Sequence, residues 1–435
     1  MTDILFVNAA QVVTCAGPGR ARKGAEMRDA GILTDSAVAV SKGRIAAVGK
    51  QDDLQRAHGN FQIIDCQRRV LTPGLVDSHT HAVFGKARYE EQELRAAGHD
   101  YMEIAKRGGG IHSSVRDFRA RSEDDLYQLS MPRLAALASY GTTTVEIKSG
   151  YGLSVDDELK ALRVIGRLSR HSPMRVVATW LGAHEIPHDY RADESRRREF
   201  IRLLIEDQLP RVARDRLAEF ADVFCEPGVY TVNETREILE ASRNAGLGLK
   251  LHADELEPAG GAELAADLGA VSADHLAAIS ERGIAALAAS PTVATLLPGT
   301  MFFLGKQRQA PARALIDGGA AVAIATDFNP GTSPTVNFPL ILTLAVSQLR
   351  MTVAEALIAA TVNGAAALGL SGKIGQIATG FEADLALFDV GDVRELPYWY
   401  GARLCVGSWR AGAPCHPSEI VGKLNSRVPE SFSAG

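Results

Sequence analysis

Two histidines separated by one residue, in Asp77-Ser78-His79-Thr80-His81, offer the kind of imidazole pair that a transition metal accepts. On an extended chain His79 and His81 point to the same face, so a strand ending there presents both rings together. Alone, such a pair is a weak signal, because surface histidines are often spaced this way. Three further segments carry similar chemistry at the ends of apolar runs: His252-Ala253-Asp254-Glu255, Asp274-His275 and Thr326-Asp327. An imidazole pair, a third imidazole and one carboxylate make a nitrogen and oxygen site suited to zinc or iron. A metal in such a site lowers the pKa of bound water to about 7 and polarises a carbonyl, which is hydrolytic chemistry.

Residues hundreds of positions apart converge only if a scaffold brings many strand ends to one rim. The middle of the chain alternates strand and helix. Eight short apolar runs read as buried parallel strands: Gly74 to His81, Thr142 to Lys148, Arg175 to His184, Asp222 to Glu226, Gly248 to Glu255, Ala270 to His275, Thr292 to Pro298 and Ala321 to Asp327. Helix start signals lie between them. Ser154 opens a segment with apolar Leu159, Leu162, Ile165 and Leu168, while Thr231 to Glu234 and Thr352 to Glu355 have capping-box spacing. This pattern predicts an α/β protein built on a (β/α)8 TIM-like barrel over residues 73–369, whose active site lies at the C-terminal strand ends. An open doubly wound sheet is the alternative.

The two ends of the chain have a different grammar. Ile4 to Val7, Val12 to Val13, Ala37 to Val40 and Arg44 to Val48 read as short strands with polar breaks, as do Ala383 to Phe388 and Arg403 to Trp409. Residues 1–72 and 370–435 are therefore expected to form one small β-sandwich domain from both termini.

Composition narrows the class. The chain has 435 residues, and 52 acidic against 47 basic side chains leave a net charge of −5. That balance offers no electrostatic footprint for nucleic acid. The five cysteines are scattered and lack CxxC spacing, so neither a disulfide framework nor a zinc ribbon is suggested. The longest clean apolar runs fall short of the roughly 18 residues of a membrane helix. No basic stretch precedes an apolar core at the start. The expectation is a cytoplasmic protein acting on a small molecule, with no membrane and no nucleic-acid partner.

Pro73-Gly74-Leu75-Val76-Asp77-Ser78-His79-Thr80-His81 resembles the first-strand signature of the amidohydrolase superfamily, and Gly380 to Asp389 resembles its closing β-sandwich segment. More narrowly, the chain resembles the imidazolonepropionase family. The matching pieces are Phe84 to Glu91, Gly108 to Ile111, Glu146 to Leu153, Gly182 to Pro187, His252 to Glu255 and Thr326 to Thr332. The resemblance implies one divalent or trivalent ion, zinc or iron, held by His79, His81, His252 and Asp327. It implies substrate contacts at Arg88, Tyr151, His184, Glu255, Asn329, Gly331 and Thr332, and a further catalytic imidazole at His275. The implied reaction is hydrolysis of 4-imidazolone-5-propanoate to N-formimidoyl-L-glutamate in histidine degradation, with a possible homodimer. Another cyclic-amide hydrolase, a nucleobase or amidine deaminase of the same superfamily, or a barrel that lost its chemistry are the alternatives.

Within that reading a carboxylate must take the water proton and return it to the departing nitrogen. Glu255 is the leading candidate and Asp327 could share the role. Arg88 suits a propionate carboxylate, but near Glu90, Glu91 and Glu93 it also fits a surface ion pair. Tyr151 and His184 fit the ring or the same carboxylate, or plain structural roles. Asp254 reads as a supporting group rather than a ligand. Lys148 could bridge two metals if modified, but one metal is favoured. Arg196 to Arg198 reads as a solvated helix face. Gly108 to Gly110 suits a flap or a plain loop. His184-Glu185-Ile186-Pro187-His188 matches the HExxH pattern, yet Pro187 and the preceding apolar run argue against the helix that a metalloprotease needs.

Overall fold

The computed structural model describes residues 2–99, 103 and 109–416. Seven strands precede the central unit: β1 (Ile4–Val7), β2 (Gln11–Val13), β3 (Ile32–Leu33), β4 (Ser36–Ser41), β5 (Arg44–Lys50), β6 (Gln62–Asp65) and β7 (Val70–Pro73). The eight central strands are β8 (Leu75–Asp77), β9 (Thr142–Lys148), β10 (Arg175–Ala183), β11 (Phe220–Cys225), β12 (Gly248–Ala253), β13 (Ser272–His275), β14 (Val293–Leu296) and β15 (Ala321–Ile324). The last three are β16 (Leu385–Phe388), β17 (Cys405–Arg410) and β18 (Ala413–His416).

Strands β8 to β15 pair in sequence order and in parallel. The ring closes at the C-terminal ends of its first and last members. Asp327 N donates to His79 O at 3.0 Å, and His81 N donates to Phe328 O at 2.9 Å. The buried Asp77 carboxylate accepts from Thr326 N at 3.0 Å and Thr326 Oγ1 at 2.7 Å. This is the (β/α)8 barrel the alternating pattern predicts, and the open-sheet alternative falls. The β9 run Thr-Thr-Thr-Val-Glu-Ile-Lys is buried throughout, as a strand covered on both faces must be.

Helices follow the strands, and their starts are where the side chains place them. Ser154 caps the helix Val155–His171 by accepting from Asp157 N. Thr231 and Glu234 form a capping box on Val232–Asn244, and Thr352 and Glu355 form one on Val353–Ala360.

Two further sheets lie beside the barrel. One, ordered β5-β4-β1-β6, comes from the N-terminal segment alone. The other, ordered β18-β17-β16-β7-β2-β3, draws strands from both ends of the chain. Between them Ile4, Phe6, Val38, Leu71, Leu387 and Trp409 form a separate apolar core. Phe6 meets the Trp409 ring edge-on at 5.1 Å. No helix among the described residues is long and apolar enough to cross a membrane.

Candidate active site

The three histidines meet at the C-terminal rim. One ring nitrogen from each of His79, His81 and His252 lies within 4.8 Å of the other two, and all three residues are buried. Strand β8 is shorter than the sequence suggests and stops at Asp77, so His79 and His81 stand in the segment just beyond it. Their rings nonetheless share one side of the mouth, with centroids 5.3 Å apart. The His252 ring is 4.6 Å from that of His79 and 5.5 Å from that of His81. Asp327 Oδ1 is 3.6 Å from both His79 Nε2 and His81 Nε2.

Two of the rings are oriented from behind. His79 Nδ1 donates to Asp274 Oδ2 at 2.7 Å, and His252 Nδ1 donates to Asp222 Oδ1 at 3.0 Å. A proton held on Nδ1 leaves Nε2 with its lone pair, the form in which imidazole binds a metal. Both Nε2 atoms are buried and have no hydrogen-bond partner among the described residues. Such atoms are costly unless something else satisfies them, and a cation fits them. Burial, then the charge of Lys148, holds His79 well below the usual imidazole range. Burial, then His184, does the same for His81, and both rings stay neutral.

Beneath the histidines lies a buried charge network. Lys148 Nζ is 2.7 Å from Asp222 Oδ2, 2.9 Å from Glu146 Oε2 and 3.5 Å from Asp274 Oδ2. Lys250 Nζ donates to Ser78 O at 3.1 Å and Ala367 O at 3.2 Å, and lies 3.2 Å from Glu146 Oε1. Burial works against the Lys148 ammonium, but its three carboxylate neighbours outweigh it and raise its pKa. A lysine so occupied does not present the free amine that a bridging, modified lysine requires.

The titratable groups above the histidines are displaced in useful directions. Burial, reinforced by the negative charges of Asp327 and Glu226, pushes the Glu255 carboxyl up to about 8. Burial raises Asp327 to about 6 despite the hydroxyl that Thr300 donates to its Oδ2. His275 Nδ1 lies 3.5 Å from Glu255 Oε2, and its ring is 5.3 Å from His79 and 5.1 Å from His252. Asp327 (φ 52°) and His275 (φ 79°) both sit in the left-handed region, a cost that concentrates at working sites.

Arg88, Tyr151 and His184 border the same mouth. His184 stacks on His81 with centroids 5.0 Å apart and planes 14° apart. Its Nδ1 donates to Gly150 O at 3.0 Å; burial and the nearby His252 outweigh that bond and keep the ring neutral, with a pKa lowered to about 3. The Tyr151 ring is 6.0 Å from His81 and 5.7 Å from His184. The Arg88 guanidinium lies flat against Gly331, and its Nε is buried without a hydrogen-bond partner. Its ion-pair contact is Glu91 at 3.5 Å, a buried carboxylate, rather than the solvated Glu90. Asn329 shapes the loop: its Oδ1 accepts from Gly331 N at 2.8 Å and Thr332 N at 2.7 Å, and its Nδ2 donates to Asp327 O at 2.7 Å and Thr332 Oγ1 at 2.8 Å. The amide of Asn329 is therefore engaged within its own turn.

Several supporting residues went unassigned in the sequence. Asp222 and Asp274 orient histidines. Glu226 accepts from the backbone N–H groups of Glu255, Leu256 and Glu257 at 2.8 to 3.2 Å. Glu158 does the same for Gly150, Gly152 and Leu153 around Tyr151. The available signal was a carboxylate inside an otherwise apolar strand or on the inward face of a helix. Asp254 accepts four backbone N–H groups of residues 259–262 and is a loop anchor. The HExxH match is not helical: β10 ends at Ala183 and only a short turn of helix covers His188–Tyr190. Of the Gly108 to Gly110 run, Gly108 lies outside the described residues.

The model of the amidohydrolase family matches residues 70–416. The imidazolonepropionase of Bacillus velezensis is 45% identical over 399 residues, covering 92% of this chain and 93% of the relative. That of Geobacillus thermodenitrificans is 47% identical over 406 residues, covering 92% and 95%. Among solved structures, Escherichia coli guanine deaminase superposes with a TM-score of 0.71 at 16% identity, covering 95% of this chain and 99% of that one. A zinc-bound adenosine deaminase from Xanthomonas campestris gives 0.70 at 20% identity, covering 95% and 92%. The structural likenesses speak to fold alone.

Proposed function

The chain belongs to the imidazolonepropionase family of amidohydrolases, and from that membership we infer that it hydrolyses the ring amide of 4-imidazolone-5-propanoate to N-formimidoyl-L-glutamate, a step of histidine degradation. The family is metal-dependent, and we assign the ion, zinc or iron, to His79, His81, His252 and Asp327. The observation that carries this assignment is the pair of buried, unpartnered Nε2 atoms on His79 and His252, each with its Nδ1 tied to a carboxylate. Nitrogen and carboxylate donors suit either metal. Five free, buried cysteines suit a reducing compartment, in keeping with the cytoplasm.

A ring amide is a weak electrophile and neutral water a weak nucleophile. The bound ion supplies Lewis acidity to both. The protein's own groups do the rest. Thr300 occupies Asp327 Oδ2, which leaves Oδ1 facing the histidines. Asp327 is thereby committed to the ion, and the proton traffic falls to Glu255. Glu255 takes the proton of the attacking water and hands it to the departing ring nitrogen. Its raised pKa lets one carboxyl serve in both directions near neutral pH. His275, beside His79 and His252, is placed to donate to the oxygen that gains negative charge as the carbonyl becomes tetrahedral. Arg88 pairs with the propionate through its guanidinium, whose Nε makes no hydrogen bond among the described residues and only a 3.5 Å ion-pair contact with Glu91. Tyr151 and His184 line the ring side of the pocket.

The test is direct. Metal-loaded protein is incubated with freshly generated imidazolone propionate while the ring's ultraviolet absorbance is followed and the product is identified by mass. Turnover with a large loss in Arg88→Ala supports the assignment. Absence of turnover, or indifference to Arg88→Ala, overturns the substrate reading.

A further inference from the structure

Two of the histidines assigned to the ion are held by carboxylates from strands that are not neighbours, Asp222 on β11 and Asp274 on β13. One ammonium joins them. Lys148 projects from the end of β9 into the barrel, its side chain fully buried, and its Nζ reaches Asp222 Oδ2 at 2.7 Å and Asp274 Oδ2 at 3.5 Å. Asp222 offers its other oxygen to both the ring Nδ1 and the backbone N of His252, each at 3.0 Å. Asp274 uses the oxygen that faces Lys148 to accept from His79. Among the described residues two lysines are buried, and of these only Lys148 reaches both carboxylates, since Lys250 pairs with Glu146 at 3.2 Å and comes no closer than 4.0 Å to Asp274.

We propose that Lys148 is a positioning residue for the metal centre: its ammonium clamps Asp222 and Asp274 so that His252 and His79 present Nε2 to one ion. This rests on the ligand assignment above. The lysine touches neither the ion's donors nor the substrate pocket, so its effect passes through the two carboxylates. Groups behind a ligand typically govern about 10–100-fold in metal affinity, and here one group supports two ligands.

The test measures zinc affinity of metal-stripped protein against a chromophoric chelator, together with the melting temperature of the metal-free form. Lys148→Met leaves buried carboxylates uncompensated and can fail to fold. The double variant Lys148→Met/Glu146→Gln removes one charge of each sign, and Glu146 touches neither histidine nitrogen. The expected result is zinc binding at least about tenfold weaker in the double variant, with Glu146→Gln alone close to the unmodified protein. Wild-type zinc affinity in the double variant would overturn the proposal by reducing Lys148 to a counter-charge for Glu146. A lower melting temperature with unchanged zinc affinity would overturn it equally, as a purely structural role. If the unmodified protein binds no stoichiometric zinc or iron, the ligand assignment itself fails; if it binds the ion and the double variant binds it as well, only the role of Lys148 fails.

Discussion

Gly331 offers a clean test of how the substrate is held, because the perturbation acts on Arg88 without removing it. A Cβ at position 331 would lie 1.4 Å from Arg88 Nη2, 2.1 Å from Cζ and 2.3 Å from Nε. An ordinary non-bonded separation of about 3.5 Å therefore demands that the guanidinium move by about 2 Å. The backbone at Gly331 is outside the left-handed region, so alanine costs nothing there by conformation alone. Fold and metal site should survive in Gly331→Ala. What is lost is the charge-assisted pairing with the propionate, about 1.5–3 kcal/mol for a hydrogen bond to a charged group. That is roughly 10- to 100-fold in kcat/KM. The loss should fall mainly on KM, because the carboxylate is remote from the scissile amide. Steady-state kinetics by ultraviolet absorbance, with metal content measured on the same sample, gives the answer. An unchanged KM in a variant whose guanidinium has demonstrably moved would refute the role given to Arg88.

Other consequences are as definite. Glu255→Gln should lower kcat by about 10²–10⁴ while metal content stays at the unmodified level; retained activity would move the proton traffic to Asp327. Because a base works only when ionised and Glu255 is pushed up to about 8, kcat/KM should rise with pH. The inflection should lie above the ordinary carboxylate range and at or below about 8, the bound ion drawing it downward; a rate that falls over that interval would contradict the assignment. Asp222→Asn removes the acceptor behind His252 and should weaken metal binding by about 10–100-fold in a chelator competition. Dialysis against a chelator should abolish turnover, and re-addition of zinc or iron should restore it; full activity in metal-free protein would count against the whole scheme.

The barrel was legible because its strands are short apolar runs with polar tips and its helices carry strong start signals, as at Ser154, Thr231 and Thr352. Boundaries were less so. The first strand reads as continuing to His81, yet it ends at Asp77, because Asp77 and His79 turn toward the last strand to close the ring. The sequence pattern does not mark strands β3, β6, β7 and β18. Ile32–Leu33 is two residues long, and β6 exposes Ile63 where alternation would bury it. The ligand types could be read from residue identity, but the groups that orient them could not. Asp222 and Lys148 lie 74 positions apart, and nothing in either segment announces that they meet inside the barrel. Asn329 shows the converse: its motif suggests a substrate contact, while its amide is spent on a turn that presents Gly331 to Arg88.

The most direct test of the central claim is anomalous diffraction at the zinc or iron absorption edge from crystals of the metal-loaded protein. A single strong peak is expected, bonded to His79, His81, His252 and Asp327 at about 2.0–2.2 Å. A peak elsewhere, or one that leaves His252 or Asp327 out of bonding range, would contradict it.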